Sequence, residues 1–289
     1  MPGETRRAVF AQPDWLRAVP TDRRLPEDAS VVFTGCGTSF HAAQTGGRAV
    51  QALEAVLRPP SADILVCISH EGTTELTMEA ERAFGGDVWL VTGNPASELA
   101  ELSDEVVVCT PEIERSWCHT ASYTCAVAAL DALNGEEIDW LPGAVEEALQ
   151  QQAQPFEQDR VLILGAGRDR PTAQEAALKL REGAWIDATA YETEQFLHGH
   201  LAAVDERVRA FVLEGEGRAA ERAEVAFAQF ERLGCEVTLV ETQHPVVDIV
   251  PFHLLVLAVA DARGIDPDPI RRLPGSPWAE ASGSPYPHA

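Results

Sequence analysis

Short, wholly apolar runs recur along the first half of the chain, each followed by a helix-forming stretch. Val31-Val32-Phe33-Thr34-Gly35 is the first and ends in glycine. Residues from Ser39 to Leu57 then carry Ala, Gln, Leu and Glu and stop at Pro59-Pro60, which predicts one helix. Ile64 to Ser69 is a second apolar run, followed by a helix from Thr73 to Phe84 that Gly85-Gly86 closes. Val88 to Thr92 is a third strand, ending in the turn Gly93-Asn94-Pro95, and Val106 to Cys109 is a fourth. Thr120 to Leu133 is a long apolar helix. Strands that are apolar throughout, rather than alternating, are buried on both faces. With helices between them, they predict a parallel sheet in an α/β fold.

The stretch from Leu141 to Pro155 is polar and glutamine-rich and reads as a helix leading into a domain boundary. The pattern then restarts. Arg160 to Gly165, Val208 to Leu213 and Val237 to Val240 predict strands, and Thr172 to Trp185, Ala219 to Leu233 and Phe252 to Ala262 predict helices. The chain therefore reads as a duplicated α/β unit. Residues 1–145 form a first domain with an N-terminal helical arm, and residues 146–289 a second with an irregular Pro, Gly and Ser-rich tail after Gly264.

Composition changes this picture chiefly by exclusion. Lys plus Arg is 22 against 46 Asp plus Glu, a net charge of −24. That argues against nucleic-acid backbones and anionic membranes as partners, and means that local donors must hold any anionic ligand against the overall field. No apolar run looks long enough to reach the ~18–20 residues that span a bilayer. The N-terminal Arg6-Arg7-Ala8-Val9-Phe10 is too short for a signal peptide, so a cytoplasmic protein is expected. None of the six cysteines forms a C-x-x-C pair, which leaves free thiols and no metal or other cofactor expected.

In open parallel sheets, ligands gather at the carboxyl ends of strands near helix N-termini. Three strand ends here carry suitable chemistry: Gly35-Cys36-Gly37-Thr38-Ser39, Ser69-His70-Glu71-Gly72-Thr73-Thr74 and Gly165-Ala166-Gly167-Arg168. Glycines admit close backbone approach, and hydroxyls and orphan helix N–H groups donate hydrogen bonds. Ordinary capping explains one such loop, but less readily two at consecutive strands. A dinucleotide fingerprint fails, because Phe40 and Arg170 stand where the third glycine belongs.

At this point the sequence resembles a known family. Gly35-Cys36-Gly37-Thr38-Ser39-Phe40-His41-Ala42-Ala43 resembles the first sugar-phosphate loop of the isomerase half of glucosamine-6-phosphate synthase, a member of the SIS (sugar isomerase) family. Ala176-Ala177-Leu178-Lys179-Leu180-Arg181-Glu182 resembles the helix that carries its catalytic glutamate, and Glu194-Gln195-Phe196-Leu197-His198-Gly199 its ring-opening histidine loop. The resemblance implies two tandem SIS domains, each a five-stranded parallel sheet flanked by helices, in a homodimer. It implies a sugar or sugar-phosphate ligand lined by Cys36, Gly37, Thr38, Ser39, Ser69, His70, Glu71, Gly72, Thr73 and Thr74. It further implies Glu182 as the proton carrier, His198 as the ring opener reaching in from a neighbouring subunit, and Lys179 as the stabiliser of negative charge. The residues are compatible with this: Lys179 and Glu182 share one helix face at i, i+3, and a carboxylate beside a cation suits proton transfer through an enediol-like anion.

Three departures qualify the likeness. Glu71 stands where the family has a hydroxyl, and a carboxylate about 4 Å from a phosphate costs roughly 1–4 kcal/mol, unless His70 is protonated or Glu71 turns outward. The family's C-terminal lysine position falls near Gly275. No glutaminase domain precedes the unit, so the expected activity is that of an isomerase or an amino-sugar-phosphate deaminase. The alternatives are a non-catalytic, regulatory sugar-binding protein, or an enzyme for an unphosphorylated sugar.

Overall fold

A computed structural model describes residues 3–281. The chain divides into two compact units. One contains the residues up to Glu146 together with those from Asp268 onward, and the other runs from Glu147 to Pro267.

In the first unit α1 (Glu4–Leu16) precedes β1 (Val31–Gly35), α2 (Thr38–Gly46), β2 (Ala49–Gln51), α3 (Ala52–Leu57), β3 (Ile64–Ile68), α4 (Glu75–Ala83), β4 (Asp87–Thr92), α5 (Glu98–Leu102), β5 (Glu105–Val108), α6 (Ala121–Leu133) and α7 (Leu141–Ala148). The five strands form one parallel sheet in the order β2-β1-β3-β4-β5. Every residue of β3 is buried, as the unbroken apolar run requires. Leu65 and Cys67 pack with Met78 of α4 and Leu99 of α5, while Ile68 and Val91 share a cavity wall with Tyr123 of α6. The chain therefore covers both faces of the sheet with helices.

The single helix expected from Ser39 to Leu57 is in fact two helices with a strand between them. Gly46 and Gly47 break it. Gly46 lies flat against the Phe33 ring, where an added Cβ would sit 2.7 Å from a ring carbon, and Gly47 adopts φ 141°. The freed segment pairs beside β1 as β2.

The second unit runs β6 (Arg160–Gly165), α8 (Arg170–Ala184), β7 (Asp187–Glu192), α9 (Thr193–Leu197), β8 (Val208–Leu213), α10 (Arg218–Arg232), β9 (Glu236–Val240), α11 (Pro245–Asp248) and α12 (Val250–Arg263). Its parallel sheet has four strands among the described residues, ordered β7-β6-β8-β9, not the five that the resemblance implies. After β9 the chain has no further apolar strand run and passes into α11 and α12. Strand β7 escapes the sequence pattern because it is an edge strand, Asp-Ala-Thr-Ala-Tyr-Glu, with one fully buried residue. Phe252 of α12 meets Phe211 of β8 edge-on at 5.4 Å, and Phe196 and Phe230 stack at 5.0 Å on the other side with Leu162 and Val212.

Two expectations need correction here. The 19-residue stretch Pro245–Arg263, with mean hydropathy 1.8, does reach bilayer-spanning length, but 78% of its apolar window is buried inside this unit, as befits a core helix. The tail, grouped above with the second domain, packs on the first unit. The Asp268 carboxylate accepts from the N–H groups of Glu4 and Thr5 at 2.8 and 2.7 Å, so it caps α1. The tail also contains a short helix, α13 (Pro277–Ala281), where irregular chain was expected. None of the six cysteines forms a disulfide.

Candidate functional site

Two neighbourhoods carry the predicted chemistry, one in each unit. In the first unit, strand order reverses between β1 and β3, so their carboxyl ends frame the crevice where open sheets take ligands. Gly35 must be glycine there, because a Cβ would lie 2.8 Å from the Ser39 backbone. Gly37 then turns the chain at φ 56° into α2, which places Thr38 and Ser39 in the first turn of a helix with no side-chain cap. Helix α4 likewise starts after Thr74 without a side-chain cap. The α4 start leaves the Glu75 and Leu76 N–H groups without a backbone partner among the described residues, whereas in α2 the Ser39 and Phe40 N–H groups donate to the Cys36 and Gly37 carbonyls at 3.1 and 2.9 Å; both starts set the positive end of a helix dipole beside hydroxyls. Ser69 Oγ and Thr74 Oγ1 lie 3.2 Å apart, across the mouth of the loop between β3 and α4. Cys36 is half-buried with Sγ 4.0 Å from Thr77 Oγ1, and burial pushes its thiol pKa up, so it serves as a neutral wall.

His70 is part of the scaffold and supplies no positive charge. Its Nε2 accepts a hydrogen bond from the Glu114 N–H at 2.9 Å, and its ring meets His119 edge-on at 5.2 Å. Burial, followed by the neighbouring His119, lowers its pKa to about 4, so it is neutral at pH 7 and offsets no negative charge on Glu71. Glu71 is exposed. Its carbonyl accepts from Asn94 Nδ2 at 3.1 Å, and its carboxylate makes no hydrogen bond among the described residues. It therefore does not cap α4. Thr73 is exposed and Thr74 half-buried. Beneath the loops, Thr38, Ser39, His70, His119, Ser122 and Tyr123 line a cavity of about 10 Å³, room for a single water.

In the second unit, α8 presents an ordered row of charges. Lys179 Nζ is 2.5 Å from Glu182 Oε2 and 3.4 Å from Glu175 Oε1. The lysine and Glu175 side chains are 1% and 0% exposed, whereas Glu182 is 22% exposed. One buried ammonium thus bridges a buried carboxylate and one that reaches solvent. His198 caps the end of α9 and is 70% exposed, with Nε2 2.9 Å from Glu194 Oε1; the other Glu194 oxygen pairs with Arg222. The Arg222 hydrogen bond, then that of His198, holds the Glu194 carboxyl below its ordinary range. No group of three His, Cys, Asp or Glu suited to a metal occurs among the described residues.

Three further residues escaped the sequence reading. Glu175 had a legible signal, since it lies one helical turn before Lys179. Glu114 had none: its buried carboxylate accepts from the Thr120 and Ser122 N–H groups at 2.8 Å each and so shapes the cavity wall. His253 hides in the apolar run of α12. It is 1% exposed, neither ring nitrogen has a hydrogen-bond partner, and it lies within electrostatic range of Glu175 and Lys179.

Burial lowers the His253 pKa to about 3, against 6.5 in the unfolded chain. The unfolded chain therefore binds more protons between those values, so stability is intact above pH 6.5 and falls as pH drops towards 3. At pH 5 this costs about 2 kcal/mol, at ~1.4 kcal/mol per unit. His253→Leu should flatten the acid limb of a stability-versus-pH curve from denaturant melts. An acid limb of unchanged slope in the variant would remove His253 from the account.

The SIS domain family model matches residues 156–264. Glutamine–fructose-6-phosphate aminotransferases are similar to most of the chain. That of Zymomonas mobilis is 26% identical over 355 aligned positions, covering 95% of this chain and 58% of the relative. That of Neisseria meningitidis serogroup A is 29% identical over 319, covering 87% and 52%. The chain thus spans about half the length of these curated relatives. Among solved structures, glucosamine-6-phosphate deaminase of Thermotoga maritima superposes with TM-score 0.74 at 20% identity, covering 95% of this chain and 98% of that one. The C-terminal domain of the Francisella tularensis aminotransferase gives 0.77 at 21%, covering 93% and 98%. These structural likenesses are of fold.

Proposed function

We propose that the chain is an enzyme that opens and enolises a sugar phosphate or amino-sugar phosphate, as an isomerase or a deaminase, and that its first unit is a second SIS domain in tandem with residues 156–264. The observation that carries this reading is the Lys179–Glu182 ion pair, with the ammonium buried and the carboxylate partly open to solvent. Glu182 takes the proton from one of the first two sugar carbons and returns it to the other. Lys179 stabilises the negative charge that develops on the sugar oxygens in between. In a deaminase the enolamine formed between C1 and C2 is protonated at C1 to a C2 imine, and water hydrolyses that imine to the ketose and ammonia. In the first unit, taken by itself, Thr38, Ser39, Ser69 and Thr74 at the starts of α2 and α4 form a phosphate cradle. The test is proton exchange: aldose, ketose and amino-sugar phosphates incubated with the protein in D2O should gain deuterium at C1 or C2 by NMR, and a panel that gains none would defeat the reading.

His198, exposed on its own chain, is proposed to open the ring in a neighbouring subunit of a cytoplasmic homodimer. A Glu182→Gln chain mixed with a His198→Ala chain should then recover part of the activity. A fully active monomer would overturn this.

Glu71 decides the phosphate question. Its exposed carboxylate does not occupy the cradle, so the wild-type protein is expected to bind sugar phosphates with a residual repulsion of about 1 kcal/mol across solvent. Glu71→Ser should tighten binding about fivefold at low salt, and less as salt screens the charge beyond about 8–10 Å. Free sugars bound more tightly than their phosphates by the wild type would instead assign the site to an unphosphorylated ligand.

A further inference from the structure

The two sheets differ in what stands at the carboxyl ends of their central strands. The first presents hydroxyls and uncapped helix starts. The second, where strand order reverses between β6 and β8, presents carboxylates. Asp169 ends the turn Gly167–Asp169 after β6, Asp248 closes α11, and the two are 1% and 4% exposed. The end of β9 ties them together through adjacent residues. Thr242 Oγ1 donates to Asp169 Oδ2 at 3.2 Å and accepts from the Gly215 N–H at 3.1 Å, while the Gln243 N–H donates to Asp248 Oδ1 at 2.9 Å. The other oxygens, Asp169 Oδ1 and Asp248 Oδ2, are buried and have no hydrogen-bond partner.

Two basic residues reach them, Arg168 beside Asp169 and His244 beside Asp248. Arg168, half exposed, comes within 3.9 Å of Asp169 Oδ1 but spends its hydrogen bonds on Glu216 Oε1 and the Gln243 carbonyl, at 3.2 and 2.6 Å. Nδ1 of His244 accepts from the Val246 N–H. Burial raises the Asp169 pKa, and burial, then the charge on Asp169, raises that of Asp248 to about 6 despite its backbone hydrogen bonds. Asp169 and Asp248 thus lie within electrostatic range of each other, and each keeps a buried oxygen without a hydrogen-bond partner at the place where an open sheet takes its ligand.

We propose that Asp169, Asp248 and Thr242 form a binding site for an ammonium group, either the free ion or the head of a small primary amine. Its N–H donors match the two unpartnered carboxylate oxygens, and its charge offsets theirs. An anion is excluded by the same charges. Two carboxylates and a hydroxyl fall short of the six to eight oxygens of a calcium site, and no three-residue metal cluster lies among the described residues. The site lies wholly in the second unit and stands independently of the reaction proposed above.

Thermal melts of the full chain at pH 7.5 and constant ionic strength test it, in ammonium, methylammonium, sodium and tetramethylammonium chlorides. Ammonium and methylammonium should raise Tm saturably above the other two. Asp169→Asn and Asp248→Asn should each need at least about tenfold more ammonium for the same rise. Should one variant fail to fold, the other carries the comparison. Equal rises in all four salts, a rise only in sodium, or an ammonium-specific rise unchanged by the substitutions would overturn the proposal.

Discussion

Glu182→Gln is expected to lower turnover by ~10²-fold or more while leaving the protein folded. The two halves of that expectation have separate causes. The amide keeps the size of the side chain and its hydrogen bond to Lys179 but cannot carry the proton. The fold survives because Lys179 keeps a second carboxylate, Glu175, at 3.4 Å, so the buried ammonium is not left alone. Lys179→Met should behave differently. It strands Glu175, a carboxylate with 0% exposure, and losing one partner of a buried pair costs about 3–5 kcal/mol. The variant should melt early as well as turn over slowly. Deuterium incorporation at the sugar C2 and a denaturant melt, run on both variants, separate the roles. Normal exchange in Glu182→Gln would remove it as the proton carrier.

The parts of this fold that were legible in the sequence are those whose environment is uniform. Strand β3 is buried at every residue and apolar throughout, β6 is so after Arg160, and β8 is buried throughout with a single charge, Arg209, whose guanidinium bonds to the Glu236 carbonyl and Thr238 Oγ1. The missed elements obey more local rules. β2 is three residues long and begins only because two glycines stop α2 against Phe33. β7 is a polar edge strand that a pattern search reads as loop. The site divides along the same line. Ser69 to Thr74 stood out because the residue types needed at a strand end are few. The neutrality of His70 did not, because it depends first on burial and then on His119, a residue distant in sequence that the fold brings against its ring. The outward placing of Glu71 could be stated beforehand only as one of two options. Its environment is solvent, and solvent leaves no trace in the sequence.

Gly72→Ala should cost most of the affinity for sugar phosphates, at least about tenfold, through backbone displacement alone. The loop after β3 is held from one side. The His70 carbonyl accepts from the Gly93 N–H and from Thr92 Oγ1, that of Glu71 from Asn94 Nδ2 and that of Gly72 from the Leu99 N–H. None of these bonds uses the N–H groups of Glu71 to Thr74. Gly72 makes the arrangement possible. It adopts φ 70°, and a Cβ there would lie 2.0 Å from Ser97 Oγ and 2.3 Å from Ser97 Cβ. Alanine therefore meets two obstacles: about 1 kcal/mol or more of backbone strain, and a collision that pushes the loop off Ser97. Ser97→Gly removes both colliding atoms but leaves the strain. It also removes the hydroxyl that accepts from the Ala100 N–H at the start of α5, which costs only a few tenths of a kcal/mol of stability, since glycine is itself a tolerated N-cap. The double variant should regain much of the binding that Gly72→Ala loses, and Ser97→Gly alone should melt slightly lower yet bind normally. If Gly72→Ala binds sugar phosphates as the wild type does, the loop between β3 and α4 is not the phosphate cradle.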